Sequence, residues 1–451
     1  MATLATTIDK RTERDKGKST FAYGALLLFT FLYYTRPEDL IPGLSFIPLE
    51  KIIGGIALIA LIVTLASGRV KRKLPLEFKV LLLLFAHLAL TIPFAFWRKG
   101  ALVTVFEKFS KAIVVAFLVT LLVDSFIQLR RLLWVQAAAM VATTIVSILI
   151  HHTAKGRLIG ALGGIFENPN DLAINISINW PLCLGFLLAA RRMTRKAIWV
   201  IGVVAMLLGV VLTYSRSGLL AIVVAITICL WEFGVKGKRF HLIAAAVLLS
   251  FLGAAVVAGT PRYLTRVASI FQGNIEGSGD RGSLAARKQL LIDSIDQAVH
   301  HPIFGIGPGN FGAATLTWHV THNTYTEFAA EGGFPALFLY LAILYLAARN
   351  LRRTRLLPAY RENPEIRIFT QALWASLIAF AVGSLFASFE YQLFPYFMMA
   401  YTSVLYRLAS ENSLPGAIVT PQKAAEKNRL WRKYSGEDVY RDSRAKRDRT
   451  R

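Results

Sequence analysis

The chain has 451 residues, 55% of them hydrophobic and 17% charged, with a mean hydropathy of +0.50. Apolar runs of about 20 residues at that composition describe a protein of the bilayer. The formal net charge is +24, but the basic residues stand in short clusters between apolar runs and in the two tails. That is the positive-inside pattern of membrane topology, and it sets aside a nucleic-acid partner.

In chain order, the polar opening MATLATTIDKRTERDKGKS lacks a cleavable-signal pattern, so the first apolar run reads as a retained span. Twelve spans are predicted, near 21–35, 52–67, 80–96, 102–123, 132–150, 172–190, 197–214, 217–233, 241–259, 324–347, 369–388 and 393–408. The expected fold class is therefore all-α, a polytopic integral membrane protein with about 12 transmembrane helices. One long outward-facing loop holds short helices. Cys183 and Cys229, the two cysteines, fall inside apolar runs and offer neither a disulfide framework nor a metal spacing.

Loop charge orients the spans. Lys10 to Lys18, Arg69 to Lys73, Arg130 and Arg131, Arg191 to Lys196, Lys236 to Arg239 and Arg349 to Arg355 fall on one side, read as cytoplasmic, with both termini. The opposite loops face outward; among them Trp97–Arg98–Lys99 departs from the charge rule. This divides the chain into a basic tail at 1–19, helices at 20–259, an extracytoplasmic catalytic loop at 260–323, helices at 324–408 and a basic tail at 409–451. Membrane lipids are expected partners of that last tail.

The polar segment from Arg281 to Gly333 is where chemistry is expected, because so apolar a chain keeps a long polar loop for a reason. Ser283 to Val299 has helical spacing, with Leu284, Leu291, Ile295 and Ala298 on one stripe and Arg287 among them. Arg287 reads either as an arginine aimed at a ligand or as one snorkelling from an interfacial helix. Arg281 precedes it on a Gly/Asp/Ser-rich approach. Arg216, in the tight YSRSG turn, carries the same two readings, with phosphate as the ligand that suits a guanidinium fork.

His322, in THNTY at the re-entry into the membrane, reads either as a hydrogen-bonding core histidine or as a group that takes a proton from a hydroxyl. His319 stands three residues before it, with no third ligand at a diagnostic spacing, so no metal is expected. GIGPGN, Gly305 to Asn310, reads as a tight turn, not a dinucleotide loop, because no βαβ unit surrounds it. FENPND, Phe166 to Asp171, is a turn before a helix start, with Asn170 or Asp171 as the cap. Glu331 lies about two turns inside the tenth span, followed by Gly332 and Gly333, which let another segment approach closely.

Three stretches together resemble the O-antigen ligase and polymerase superfamily: GIFENPNDLA (Gly164 to Ala173), YSRSGLLA (Tyr214 to Ala221), and ARKQLLIDSIDQAVHHPIFGIGPGNF followed by THNTYTEFAAEGG. The resemblance covers roughly 155–350. It implies a metal-independent, cofactor-free glycosyltransferase of the bacterial inner membrane. The implied donor is a glycan on a polyprenyl diphosphate, and the acceptor is another glycan or lipid A core. By position it implies catalytic roles for His322, Arg287 and Arg216. Arg281, Arg157, Asn323, Glu331 and Asn170 are expected to touch substrate. The competing expectation is a transporter or flippase for a lipid-linked glycan, to which Glu107, Lys108 and Lys111 in the fourth span lend support.

Overall fold

The computed structural model describes residues 21–37, 49–66, 74–151, 153–154, 156–160, 166–240, 242–244, 280–317 and 319–411. Most of the predicted span at 241–259, the 260–279 part of the predicted loop at 260–323, the basic cluster Arg69 to Lys73 and most of both tails lie outside the described residues, as do His152 and the Gly164–Ile165 start of the first family stretch. Of Arg281 only the backbone is described.

The helices are α1 (Phe21–Thr35), α2 (Leu49–Ala66), α3 (Leu76–Thr91), α4 (98–122), α5 (Phe126–Leu149), α6 (Pro169–Ala189), α7 (Met193–Leu212), α8 (Arg216–Cys229), α9 (Asp280–His300), α10 (Thr324–Thr354), α11 (Pro364–Gly383) and α12 (Phe394–Glu411). A hairpin of two-residue strands, β1 (Thr153–Ala154) and β2 (Arg157–Leu158), pairs Ala154 with Arg157. Among the described residues, seven helices are long and apolar enough to cross a bilayer. They are α3 with its terminal turn, α5, α6, α7, α8 with its continuation to Val235, α10 and α11. α4 and α12 fold as helices but are too polar to join that set, α4 because it carries Arg98, Lys99, Glu107, Lys108 and Lys111. The chain is an all-α multi-span bundle.

α6 is its axis. Of its most apolar window 83% is buried, against 33% for α7, and α5, α7, α8 and α11 pack around it. Gly218 permits the α8 contact: a Cβ there would stand 2.2 Å from that of Ala173. A helix enclosed in this way can hold polar groups only if they are paired. Tyr401 on α12 donates to Gln136 on α5 (2.7 Å), Gln136 donates to Asn179 on α6 (2.7 Å), and Asn179 donates to the Asn175 carbonyl (2.8 Å). This buried chain ties three helices in one register. α10 organises the second half of the bundle, packing on α3, α9 and α12.

The two ends of the bundle differ. At one end Glu232 pairs with Arg355 (3.0 Å) and Lys236 (3.1 Å), Arg130 with Glu365 (3.4 Å), and Asn350 donates to Glu77 (2.6 Å). Arg130, Lys236 and Arg355, from three of the clusters predicted to share one side, make their ion pairs there. Parts of three loops predicted for the opposite side, those near Phe96, Ile306 and Ala387, make contacts at the other end. The Phe96 amide donates to Ile306 (2.9 Å), Phe94 stacks on Phe304, and the Thr324 amide reaches the Ser384 and Ala387 carbonyls. The Trp97–Arg98–Lys99 turn, exceptional by charge, therefore belongs with the 302–323 segment by contact.

The tenth predicted span departs from a simple helix. α10 breaks at Gly333, where φ is +72° and ψ is 177°. The Phe334 amide donates to Pro302 (2.8 Å), and His87 Nε2 bonds the Gly332 carbonyl (2.7 Å). A Cβ on Gly333 would lie 2.4 Å from the Ile303 carbonyl oxygen, so only glycine lets the 302–309 turn seat itself here. The first segment of α10, up to Gly332, is a half-helix that begins at the loop end of the bundle.

Candidate active site

The site is built where α6, α8 and α10 begin. Asn168 caps α6, its Oδ1 accepting from the Asn170 amide (2.9 Å), with Pro169 at the first helical position. This corrects the expected cap at Asn170 or Asp171: proline at the first position suits the helix start and moves the cap one residue before it. Asn170 is thereby released. Its Oδ1 accepts from Arg157 Nη2 (2.8 Å) and from the Ser215 hydroxyl (2.8 Å), while Arg157 Nε donates to the Thr213 carbonyl (2.9 Å). Ser215 caps α8, accepting from the Gly218 amide (3.1 Å), and Tyr214 before it holds a φ of +49°. Arg157 and Asn170 so fix the turn from which Arg216, half-buried at the first position of α8, projects.

Arg287 on α9 is half-buried, and its charge acts on both Asp171 and His322. The predicted apolar stripe of α9 needs correction. Leu290, Ser294 and Ala298 are buried, and Ile295 is 49% exposed. With 3.6 residues per turn, the inner face runs 287, 290, 294, 298, and Ile295 falls one residue off it. Arg287 stays on the inner face, and the outer face carries Ile292, Ile295 and Val299.

His322 sits at a φ of +56°, which a side chain holds only when its surroundings demand it. They do. Asn323 caps α10, accepting from the Tyr325 (3.0 Å) and Thr326 (3.3 Å) amides. Thr321 donates to Glu327 (2.8 Å), Ser388 donates to the same carboxylate, and Thr324 donates to the Ala387 carbonyl (2.7 Å). Burial, then the positive charge of Arg287, then His319 bring the His322 imidazole down to about 4, so it is neutral near pH 7.

The structure thus brings Arg157, Asn170 and the Ser215–Arg216 turn together by direct hydrogen bonds. Arg287, Asp171 and His322 come together by charge. Asn170 and Asp171 are consecutive, so both groups share the first turn of α6. The starts of α6 and α8 are joined through Asn170 and Ser215, and helix N-termini with arginines beside them favour an anion.

Two residues expected at substrate have other employment. The Asn323 side-chain oxygen is occupied by the cap. Glu331 is 1% exposed, and its carboxylate accepts from the Gly309 amide (2.6 Å), the Phe311 amide (3.0 Å) and the Tyr391 hydroxyl (2.7 Å). The GIGPGN turn, with Gly305, Gly307 and Gly309 at φ +65°, +99° and +72°, is closed by this internal carboxyl group: the Gly309 amide donates to the Glu331 side chain and the Gly307 amide to its carbonyl.

Sequence reasoning missed Glu327, which braces the His322 turn, and the Ser388 to Tyr391 loop that meets it. The signal was present. Glu327 and Glu331 stand one turn apart in an apolar helix, where ionisable groups are expensive and placed for a purpose. Among the described residues, no group of three or more His, Cys, Asp or Glu stands close enough to hold a metal ion.

Residues 201–341 match the family described as O-antigen ligase. They contain Arg216, Arg287 and His322, but not Arg157 or Asn170. Among solved structures, a chain from the work titled "Structural coordination of polymerization and crosslinking by a peptidoglycan synthase complex" is similar at 16% identity and a TM-score of 0.41, over 74% of this chain and 98% of that one. Among curated proteins nothing matches.

Proposed function

We propose that this chain, whose residues 201–341 match the family described as O-antigen ligase, transfers or polymerises a glycan from a polyprenyl diphosphate carrier at the outer face of the cytoplasmic membrane. The observation that carries the reading is Arg287, whose charge reaches His322 on one side and Asp171, at the start of α6, on the other.

In this reading Arg287 and Arg216 bind the diphosphate and stabilise the charge it gains on leaving, in a place shielded from water. The acceptor hydroxyl attacks the anomeric carbon as the bond from that carbon to the diphosphate oxygen breaks. The hydroxyl proton passes to the neutral His322 imidazole, and the polyprenyl diphosphate departs as the anion. Arg157 and Asn170 position the Arg216 turn. The described part of the loop, from α9 to Asn323, and the half-helix of α10 form the outward-facing catalytic segment. The donor is already activated on its lipid, so no nucleotide-binding domain is required.

The test is transfer by the purified protein in nanodiscs, supplied with a polyprenyl-diphosphate glycan and one acceptor at a time. Product with the wild-type chain and its loss in Arg216→Ala support the proposal. A wild-type chain that leaves every lipid-linked glycan intact overturns it.

A further inference from the structure

A second feature reaches the neighbourhood of the His322 turn through Val320 and Ser388. A cleft of about 570 Å³ opens between α1, α2 and α4, with Val320 and Ser388 at its lip. None of Arg157, Asn170, Arg216 or Arg287 lines it. Four cations do, Arg36, Lys51, Lys108 and Lys111, with Glu390 as the acidic residue among its lining groups. Burial, with Glu327 and Glu331 nearby, pushes the Glu390 carboxyl well up, so it does little to offset them.

The cleft has polarity along its length. Phe29 on α1, Leu58 on α2 and Leu118 on α4 also line it, and each lies seven residues from Arg36, Lys51 and Lys111 respectively. Seven residues are two helical turns, about 10 Å. One end is therefore cationic on three helices and the other apolar on the same three.

Lys108 and Lys111 stand ten and thirteen residues along α4 from Arg98, within the helix and not at its ends, where cations lining a cleft mark a ligand path. α4 is also π-helical from Thr104 to Phe109, a distortion that carries its own cost and accompanies functional positions. Gly55, on the wall, has open space where a Cβ would be.

We propose that this cleft is a separate lipid site, holding one amphiphile with a phosphate-type head at the four cations and an isoprenoid or acyl chain against Phe29, Leu58 and Leu118. Val320 is two residues from His322, so the lipid held here anchors the hydroxyl-bearing acceptor. That last role rests on the function proposed above; binding itself does not.

The experiment uses the full chain in phosphatidylcholine nanodiscs with a photoreactive isoprenyl monophosphate. Cross-links are expected on α2 and α4 peptides. Lys108→Ala with Lys111→Ala, and separately Gly55→Trp, should each reduce them roughly tenfold, while Lys108→Arg with Lys111→Arg retains them and so guards against misfolding. Arg216→Ala should abolish transfer and leave the cross-links intact. Equal labelling by a photoreactive phosphatidylcholine, undiminished in the alanine pair, overturns the site as ordinary boundary lipid. Displacement by inorganic phosphate as effective as by unlabelled isoprenyl phosphate overturns the amphiphile and leaves an ion site. Cross-linking as expected, with wild-type transfer to a lipid-borne acceptor unchanged in the alanine pair, overturns the acceptor role alone. Cross-linking as expected in a wild-type chain that transfers nothing supports the lipid site and removes the proposed function.

Discussion

The sharpest consequence of the site concerns pH. A histidine at its ordinary value of 6.5 is about 9% neutral at pH 5.5, whereas one brought down to about 4 is about 97% neutral there. At pH 7.5 both are more than about 90% neutral. If His322 takes the acceptor proton, the transfer rate should fall by only about 3% between pH 7.5 and 5.5, against about tenfold for an unperturbed histidine. The assay is single-turnover transfer in nanodiscs with donor and acceptor saturating, over pH 4.5 to 8. Stability must be followed in parallel, and its sign is fixed. The unfolded chain takes the histidine proton at 6.5 and the folded chain only near 4, so acidification through that window favours unfolding. Short reactions and a fluorescence check of folding keep the two apart. Arg287→Gln removes one of the depressing charges and should move the acidic limb upward. An acidic limb centred near 6.5 in the wild-type chain, and absent from His322→Ala, would refute the reasoning that burial and Arg287 hold the imidazole neutral.

Other outcomes follow from the same geometry. Arg287→Lys keeps a charge but loses the planar fork, so it should lose most transfer activity while inserting normally; full turnover reduces Arg287 to a snorkelling anchor. His322→Ala should slow transfer by roughly 10²–10⁴ and barely change donor binding, and chelator should leave the wild-type rate unchanged; loss of rate with chelator and its return with a divalent cation refute the arginine-only account. Glu331→Ala strips the Gly309 and Phe311 amides of their buried acceptor, at roughly 1–3 kcal/mol each, so its thermal unfolding midpoint should drop clearly; an unchanged midpoint refutes the clamp. A cysteine placed at the exposed Ala286 on α9 should react with impermeant maleimide from outside the cell, since Cys183 and Cys229 are buried; reaction from the cytoplasm alone inverts the topology.

What was legible in the sequence is what depends on short range. Span positions follow from apolar runs, Arg216 and His322 stand out as polar residues at span ends, and Arg287 as a cation on the amphipathic helix between them. What stayed hidden depends on partners distant in sequence. Nothing local says that Asn170 holds Arg157 and Ser215, which are 13 and 45 residues away. The α9 stripe was misread at Ile295 because an apolar residue on an amphipathic helix at the rim of a bilayer can face lipid as readily as protein. Hydropathy alone does not separate those two neighbours. From sequence, Lys108 and Lys111 suggest only transport, because the cleft they line also needs α1, α2 and the 388–393 loop, the last nearly 280 residues away.

The buried carboxylates explain how a neutral histidine stays poised. His322 occupies a strained backbone conformation that would relax if its turn were loose. Glu327 prevents this by accepting from Thr321 before the histidine and from Ser388 on the loop after α11. One helical turn later, Glu331 fixes the 305–311 turn and, through its own carbonyl, the Gly307 amide (2.9 Å). That second turn follows directly on α9, which carries Arg287. The half-helix of α10 therefore sets both partners: its N-terminus holds His322, and its last turn holds the loop that anchors the Arg287 helix. The break at Gly333 is what allows the loop to reach that last turn. Without it, a continuous α10 would keep its final carbonyls for its own amides, and the arginine helix would lose its fixed distance from the histidine.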